Sequence, residues 1–353
     1  MPELSRGELL DFYAEQYFGE HHIFKVLADK VQDNSFFITG ATGLFGSWIM
    51  AFLHWTVKRK FAEPKVAILT RSKIRCSPCW FDVIEGDIKD FQLDRTAFDY
   101  FIHLAAPTAQ DTYQGMKDLE KFDMLSIGTR RVLDFAKNLA NKRVLIASSG
   151  AVFGGFDQSR IDPILECDDS TFSCDSSMPG LGLGKKVAEF ITNDYCVHGL
   201  VDASIARCFS FVGPGLPTDL HYAIGNFVSS AVNGEDIIIK GDGSNIRSYM
   251  YLGDMVSWLM LILFTGKQGE DYNVGSDEKI SVLELAKIVK NTLKTTSKIV
   301  VLGNTNEAVG TPPNYFYVPN TQKAQKELGL YSCADLATSI ADYASYVRQM
   351  RRS

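Results

Sequence analysis

Residues Phe36 to Gly46 read Phe-Phe-Ile-Thr-Gly-Ala-Thr-Gly-Leu-Phe-Gly. A short apolar run enters glycines at 40, 43 and 46, and an amphipathic segment, Ser47 to Lys60, follows at once. That order requires a strand, a tight turn and a helix. Gly40 permits the turn. Gly43 lets a phosphate approach the backbone, and Gly46 lets the helix pack close to the strand. A helix N-terminus offers unpaired N–H groups and partial positive charge, which suits an anion. In this strand-to-helix setting the pattern predicts a dinucleotide site rather than a plain glycine turn.

The rest of the chain is compatible with that start. Its 353 residues allow about two domains, or one large α/β unit with a smaller lobe. A chain this long can bury a core without disulfides or metals. Net charge is −6, and no basic run exceeds Lys58-Arg59-Lys60; the C-terminal Arg348, Arg351 and Arg352 are split. Nucleic acid is therefore not an expected partner. No uncharged apolar run reaches about 18 residues, and the N-terminus does not read as a signal peptide, so no membrane association is expected. The seven cysteines are scattered, which suits a reducing cytoplasm. Cys76-Ser77-Pro78-Cys79 has metal-ligand spacing but no second pair or nearby histidine, so no metal site is assigned.

Residues 1–34 carry Leu9, Leu10, Tyr13 and Tyr17 at helical spacing and read as a helical extension, covering either the body or a second subunit. Strand patterns follow at 66–70, 82–87, 100–104, 143–148 and 203–207, with helices at 118–140 and 182–197. This alternation predicts an α/β fold, a Rossmann-like doubly wound parallel sheet over residues 35–212. Ligands in such sheets bind beyond the carboxyl ends of the strands, so Thr39, Thr70, Asp87, Ala105, Ser148 and Cys208 are expected near one cleft. After Gly213-Pro214-Gly215 the texture changes to shorter elements. Residues 213–353 are expected to form mainly a smaller substrate-binding lobe, with some segments returning to the sheet.

Several stretches together resemble the extended short-chain dehydrogenase/reductases of the nucleotide-sugar epimerase/dehydratase family. They are the glycine loop 39–46, Gly86-Asp87-Ile88, His103-Leu104-Ala105-Ala106 and Ser148-Ser149-Gly150-Ala151-Val152-Phe153-Gly154. Further on are Arg207-Cys208-Phe209-Ser210 through Pro214, Gly241-Asp242-Gly243 with Arg247 to Tyr251 and Asp254, Tyr272 to Ser276, and Lys323 to Gly329. The resemblance implies an NAD(P) site formed by Gly40, Thr42, Gly43, Leu44, Phe45, Gly46, Thr70, Arg71, Asp87, Ile88, Leu104, Ala105, Ala106, Lys185, Cys208 and Phe209. It also implies a nucleotide-diphosphate sugar met by Pro107, Ser149, Ser210, Asn226 and Arg247. An arginine fork such as Arg247 suits two phosphate oxygens. Thr70 stands about where the family places an NAD-selecting Asp, and Arg71 follows it, which tilts the expectation slightly to NADP.

The family's hydride chemistry uses a tyrosine four residues before a lysine, with a serine or threonine on the same substrate oxygen. Ser149 and Lys185 match the serine and lysine as candidate catalytic residues. The tyrosine position is Leu181, which cannot exchange a proton. Tyr222, Tyr249, Tyr251, Cys174 and Asp175 are the substitutes in view, and Lys185 itself is a base if a dry site depresses its pKa. Sugar 4,6-dehydratases carry Asp and Glu after the serine or threonine. Here Gly150 and Ala151 stand there, so epimerisation, ketoreduction or decarboxylation fits better. Three readings stay open: an enzyme on nucleotide sugars, a catalytically silent binding protein, and a reductase of another small carbonyl compound. Relatives often dimerise through the helices near 118–140 and 180–198; Leu119, Phe122, Leu133 and Phe190 are candidates for a homodimer contact or for ordinary core.

Overall fold

The structure is a computed structural model that describes residues 5–71, 80–94, 97–154, 160–169, 180–220, 222–303 and 316–352. Cys76, Cys79, Cys174, Asp175 and His221 lie outside them. The first part of the chain runs α1 (Arg6–Glu20), α2 (Ile23–Val31), β1 (Ser35–Thr39), α3 (Leu44–Lys58), β2 (Lys65–Thr70), β3 (Asp82–Glu85) and β4 (Phe98–His103). It continues through α4 (Ala109–Tyr113), α5 (Asp118–Leu139), β5 (Ala140–Ser149), a 3-10 turn (Gly150–Phe153), α6 (Gly180–Val197) and β6 (Ala203–Cys208). The second part holds β7 (Phe211–Val212), α7 (Ala223–Asn233), β8 (Ile237–Ile239), β9 (Ile246–Arg247), β10 (Met250–Tyr251), α8 (Leu252–Thr265) and β11 (Asp271–Val274). The chain ends with β12 (Ile280–Ser281), α9 (Val282–Leu293), β13 (Ile299–Val301), β14 (Phe316–Tyr317), α10 (Gln322–Leu328) and α11 (Leu336–Met350).

Seven strands form one parallel sheet in the order β3-β2-β1-β4-β5-β6-β11. The chain reverses direction across the sheet between β1 and β4, where Thr39 pairs with His103. A crevice at such a switch point is where an open α/β sheet binds ligands. The strands read as near-continuous apolar runs because both faces are covered. Phe36, Phe37 and Ile38 of β1 are fully buried, as are Trp48 and Phe52 of α3. Each such side chain contributes roughly 1.5–3 kcal/mol of burial.

The helix after the glycine loop begins at Leu44, earlier than the expected Ser47. Gly43 is its extended N-cap and the Gly43 carbonyl accepts from the Ser47 N–H at 2.8 Å, so the turn is already helical by then. The extension at the N-terminus is two helices, and it covers the body of the same chain. Phe18 packs edge-on against Trp48 and Phe52. The Tyr17 hydroxyl donates to Asp254 Oδ1 at 2.6 Å, and a methyl on Gly253 would lie 2.2 Å from the Tyr17 ring. Gly253 thus makes room for α1 on α8. Beyond β6 the chain builds small sheets, pairing β10 with β7, β9 with β12 and β14, and β8 with β13. It returns to the large sheet at β11, where Asn273 pairs with Arg207.

Candidate functional site

The glycine loop has the geometry its sequence requires. Gly40 has φ +72°, and a methyl there would lie 2.6 Å from the Ala105 nitrogen. Gly46 has room for no side chain at all: a methyl would meet the Gly40 carbonyl oxygen at 2.2 Å and the Ala41 Cα at 2.5 Å. The loop, the strand ends and the start of α3 therefore interlock without side chains between them. The first N–H groups of α3 have no intrahelical acceptor and suit a pyrophosphate.

Beside this loop lies a cavity of about 190 Å³. Its wall brings together Thr39, Gly40, Thr42, Gly43, Thr70, Arg71, Ile88, Leu104, Ala105 and Ala106, with Thr108, Asp111 and Met124. A second cavity, about 610 Å³, shares Thr42 and Gly43 with it and adds Leu44, Phe45, Pro107, Gly215, Leu220 and Tyr222. Gly7 and Leu10 of α1 also line it. A third, about 230 Å³, shares Leu220 and is walled by Asn226, Phe227, Ile238, Lys240, Gly243 and Asn245. The first two cavities meet the same residues of the glycine loop, and the second and third share Leu220 as a wall residue.

Of the other expected residues, Asp87, Ser149, Phe209, Ser210 and Arg247 line none of these three cavities. Asp87 is half-buried and its Oδ1 accepts from the Lys89 N–H at 3.0 Å, a turn-capping contact. Asn226 lines the third cavity while its Nδ2 donates to the Leu220 carbonyl at 3.1 Å. Ser149 Oγ accepts from the Ala151 N–H at 3.1 Å and caps the 3-10 turn. Phe209 and Ser210 are half-buried just past β6. Arg247 is half-buried in β9 with its guanidinium 5.5 Å from the Tyr317 ring centre. Tyr251 is core rather than pocket: it is buried against Tyr17 and Trp48 and bonded to Asp342.

Lys185 lies one turn after Leu181 on α6 and is buried, with Nζ donating to the Ala147 carbonyl of β5. Burial pushes its pKa down to about 8, although Cys208 and Glu189 favour the charged form. Burial pushes the neighbouring Cys208 thiol up to about 12, so it is neutral. Leu181 is half-buried in the first turn of α6. Gly180 and Gly184 set this helix tightly on α5: methyls there would meet the Asp118 carbonyl oxygen at 2.1 Å and the Leu125 side chain at 2.8 Å.

Two polar networks under the site were not read from the sequence. Ser148 Oγ donates to Glu189 Oε1 at 2.6 Å, and Arg207 grips both Glu189 oxygens, at 2.9 and 2.8 Å. Arg207 also bonds Asp271 and the Glu166 carbonyl. A charged residue inside the buried strand β6 was the available signal, because a buried charge needs a partner. His103 sits between Thr39 Oγ1 at 2.7 Å and Thr129 Oγ1 at 3.1 Å. Burial first, and the Lys185 charge second, push its pKa down to about 3. It is a neutral structural link between β1, β4 and α5.

Of the dimer candidates, Leu133 is ordinary core, fully buried under the sheet, while Leu119 and Phe190 are 70% and 71% exposed. No cluster of three or more His, Cys, Asp or Glu side chains suited to a metal occurs among the described residues. None of the described helices is long and apolar enough to cross a membrane.

Several known proteins are similar to this chain. UDP-glucuronic acid decarboxylase 4 of Arabidopsis thaliana is 29% identical over 231 residues, 64% of this chain and 49% of that protein. The chain spans between about half and just under two thirds of the curated relatives it matches. An epimerase structure from Methanothermobacter thermautotrophicus superposes with a TM-score of 0.74 at 22% identity, covering 94% of this chain and 97% of that one. MoeE5 in complex with UDP-glucuronic acid and NAD gives 0.72 at 22% identity, covering 90% and 99%. The profile of the NAD dependent epimerase/dehydratase family matches residues 36–275, more than half of the sequence, and the chain belongs to that family.

Proposed function

We propose that this chain binds a nicotinamide dinucleotide and a nucleotide-diphosphate sugar and modifies the sugar, with epimerisation, ketoreduction or decarboxylation favoured over standard 4,6-dehydration. The observation that carries this is the cavity on the glycine loop, with a second that shares Thr42 and Gly43 with it and a third that shares Leu220 with the second. The first fits a dinucleotide on the glycine cradle. The third cavity, walled by Asn226, fits the nucleotide of the sugar donor. MoeE5, solved in complex with UDP-glucuronic acid and NAD, has the same fold, and a UDP-glucuronic acid decarboxylase is similar in sequence.

When bound, the nicotinamide supplies hydride acceptance and return. The chain's own residues do the rest. The N–H groups at the start of α3 hold the pyrophosphate. Lys185 lies at the carboxyl end of β5, and its depressed pKa of about 8 lets it exchange a proton near neutral pH. Ser149 orients a sugar hydroxyl once it leaves its cap. Gly150 and Ala151 carry no acid or base for elimination of water. Arg247 binds the diphosphate. Arg71 at the cavity wall, with Thr70 in place of an acid, favours NADP(H) over NAD(H). Titration of each by fluorescence or calorimetry tests this; tighter NAD(H) binding removes the Arg71 argument.

Leu181 supports a second reading, in which the chain binds both ligands and turns neither over. Incubation with a panel of nucleotide sugars and NAD(P), followed by mass spectrometry and deuterium exchange, separates the two. Turnover by the natural chain supports the enzyme. Binding without turnover, together with activity appearing only in Leu181→Tyr, supports the silent form. Exposed Leu119 and Phe190 on α5 and α6 favour a homodimer through those helices. The free Cys196, Cys208 and Cys333 thiols agree with a reducing cytoplasm.

A further inference from the structure

Helix α1 precedes residues 36–275, which the family profile matches, so that likeness assigns it no role. It is fastened to the body at several points. Glu15 pairs with Lys58 of α3, the Gln349 amide of α11 donates to the Tyr13 hydroxyl at 3.1 Å, and Phe18 packs on Trp48. Gly7, Leu10, Ala14 and Phe18 recur at helical spacing and share one face of α1. Ala14 and Phe18 are fully buried core. Gly7 and Leu10, at the other end of that stripe, line open space beside the glycine loop.

Two cavities meet there. The one of about 610 Å³ is lined by Gly7 and Leu10 together with Gly43, Leu44 and Phe45, where α3 begins. Another, of about 230 Å³, is lined by the same Gly7 and Leu10, by Asp11, and by Thr42 and Ser47. Leu10 reaches the start of α3 because Gly215, at φ +92°, has no side chain. A methyl there would lie 2.9 Å from Leu10 Cδ1 and 3.3 Å from Leu44 Cδ1. Asp11 lines only the smaller of the two cavities, with its carboxylate 3.8 Å from His54 Nδ1. Gly7 differs from the glycines of the loop. A methyl built on it meets none of the described atoms within 4 Å, so packing against the described residues does not demand glycine there. Glycine is also a poor helix former. What position 7 faces is the cavity at the start of α3, whose unpaired N–H groups suit phosphate.

We propose that Gly7 and Leu10 form the outer wall of the dinucleotide's pyrophosphate site, with Gly7 leaving the space that the phosphates occupy. The proposal rests on the dinucleotide reading above. The bound diphosphate then lies between the first turn of α3 and the first turns of α1. Leu10 shields it from water, and a charge placed at position 7 acts on it at short range. The N-terminal helix is thereby part of the binding site as well as a cover for the core.

Gly7→Glu and Gly7→Gln match in size and differ in charge, so the ratio of their dissociation constants removes the steric effect. Gly19 supplies the control. It is an exposed glycine of the same helix, again with no described atom within 4 Å of a built methyl, and lies about 18 Å further along the axis. Each variant is titrated with NAD(H), NADP(H) and UDP by calorimetry at low salt, with melting temperature as a fold check. For the dinucleotide that wild type binds more tightly, Gly7→Glu should bind about 5-fold more weakly than Gly7→Gln. The ratio should shrink toward one at about 0.5 M salt. Gly19→Glu and Gly19→Gln should agree within about 1.5-fold. Equal affinity of the two Gly7 variants overturns the proposal, and so does the same ratio at position 19, which marks a net-charge effect. A ratio for UDP as large as that for the dinucleotide also overturns it, because a different diphosphate then meets this wall. If wild type binds neither dinucleotide, the glycine-loop reading itself fails and the α1 assignment falls with it. Wild-type binding without a Glu–Gln difference removes the α1 wall alone.

Discussion

Replacing Glu189 by Gln should destabilise the chain more than any other substitution of similar size near the site. The carboxylate accepts from Ser148 and twice from Arg207, and its side chain is 4% exposed against 7% for the guanidinium. Solvent screening is therefore weak. Glutamine keeps the volume, but its amide N–H₂ faces an Arg207 donor and the bidentate pair is lost. Arg207 keeps Asp271 and the Glu166 carbonyl. Breaking one side of a buried ion pair costs about 3–5 kcal/mol. At about 2 °C per kcal/mol for a chain of this size, the melting temperature should fall by roughly 6–10 °C. The same network ties α6 to β5, with Lys185 one turn before Glu189 and Ser149 next to Ser148. Dinucleotide affinity should therefore fall as well. Differential scanning calorimetry of Glu189→Gln and of the double variant Glu189→Met with Arg207→Met checks the reasoning. The double variant removes both charges and should recover part of the loss. A change under about 1 °C in Glu189→Gln, or a double variant worse than the sum of its parts, refutes it.

Further outcomes follow from the same geometry. His103 is neutral in the fold, with its pKa near 3, and charges below about 6.5 when unfolded. The unfolded chain then binds more protons, so stability present above pH 6.5 is lost as pH falls toward 3, by about 1.4 kcal/mol per unit for this one group. Urea unfolding of wild type and His103→Gln should diverge in slope below pH 6.5; parallel curves count against the assignment. Gly46→Ala places a methyl 2.2 Å from a backbone oxygen that cannot move aside, so a loss of about 1–3 kcal/mol and weakened dinucleotide binding are expected by thermal shift and titration. Phe190→Glu should shift the sedimentation coefficient from dimer to monomer without lowering the melting temperature, and a monomeric wild type would discard the α5–α6 contact.

The parts of the site that local sequence could reveal are those set by local physics. The glycine loop was legible because steric needs at Gly40, Gly43 and Gly46 are met within one turn of chain. The strands at 66–70, 143–148 and 203–207 were legible because both faces of a parallel sheet are buried, which leaves uninterrupted apolar runs. Leu133 and Tyr251 were ambiguous for a related reason. An apolar side chain at helical or strand spacing looks the same whether it faces core, partner or pocket. Only the packing of α5 on the sheet and of α1 on β10 separates these outcomes. The strands β9 and β14 were invisible, because two residues carry no period and their pairing joins positions 246–247 to 316–317.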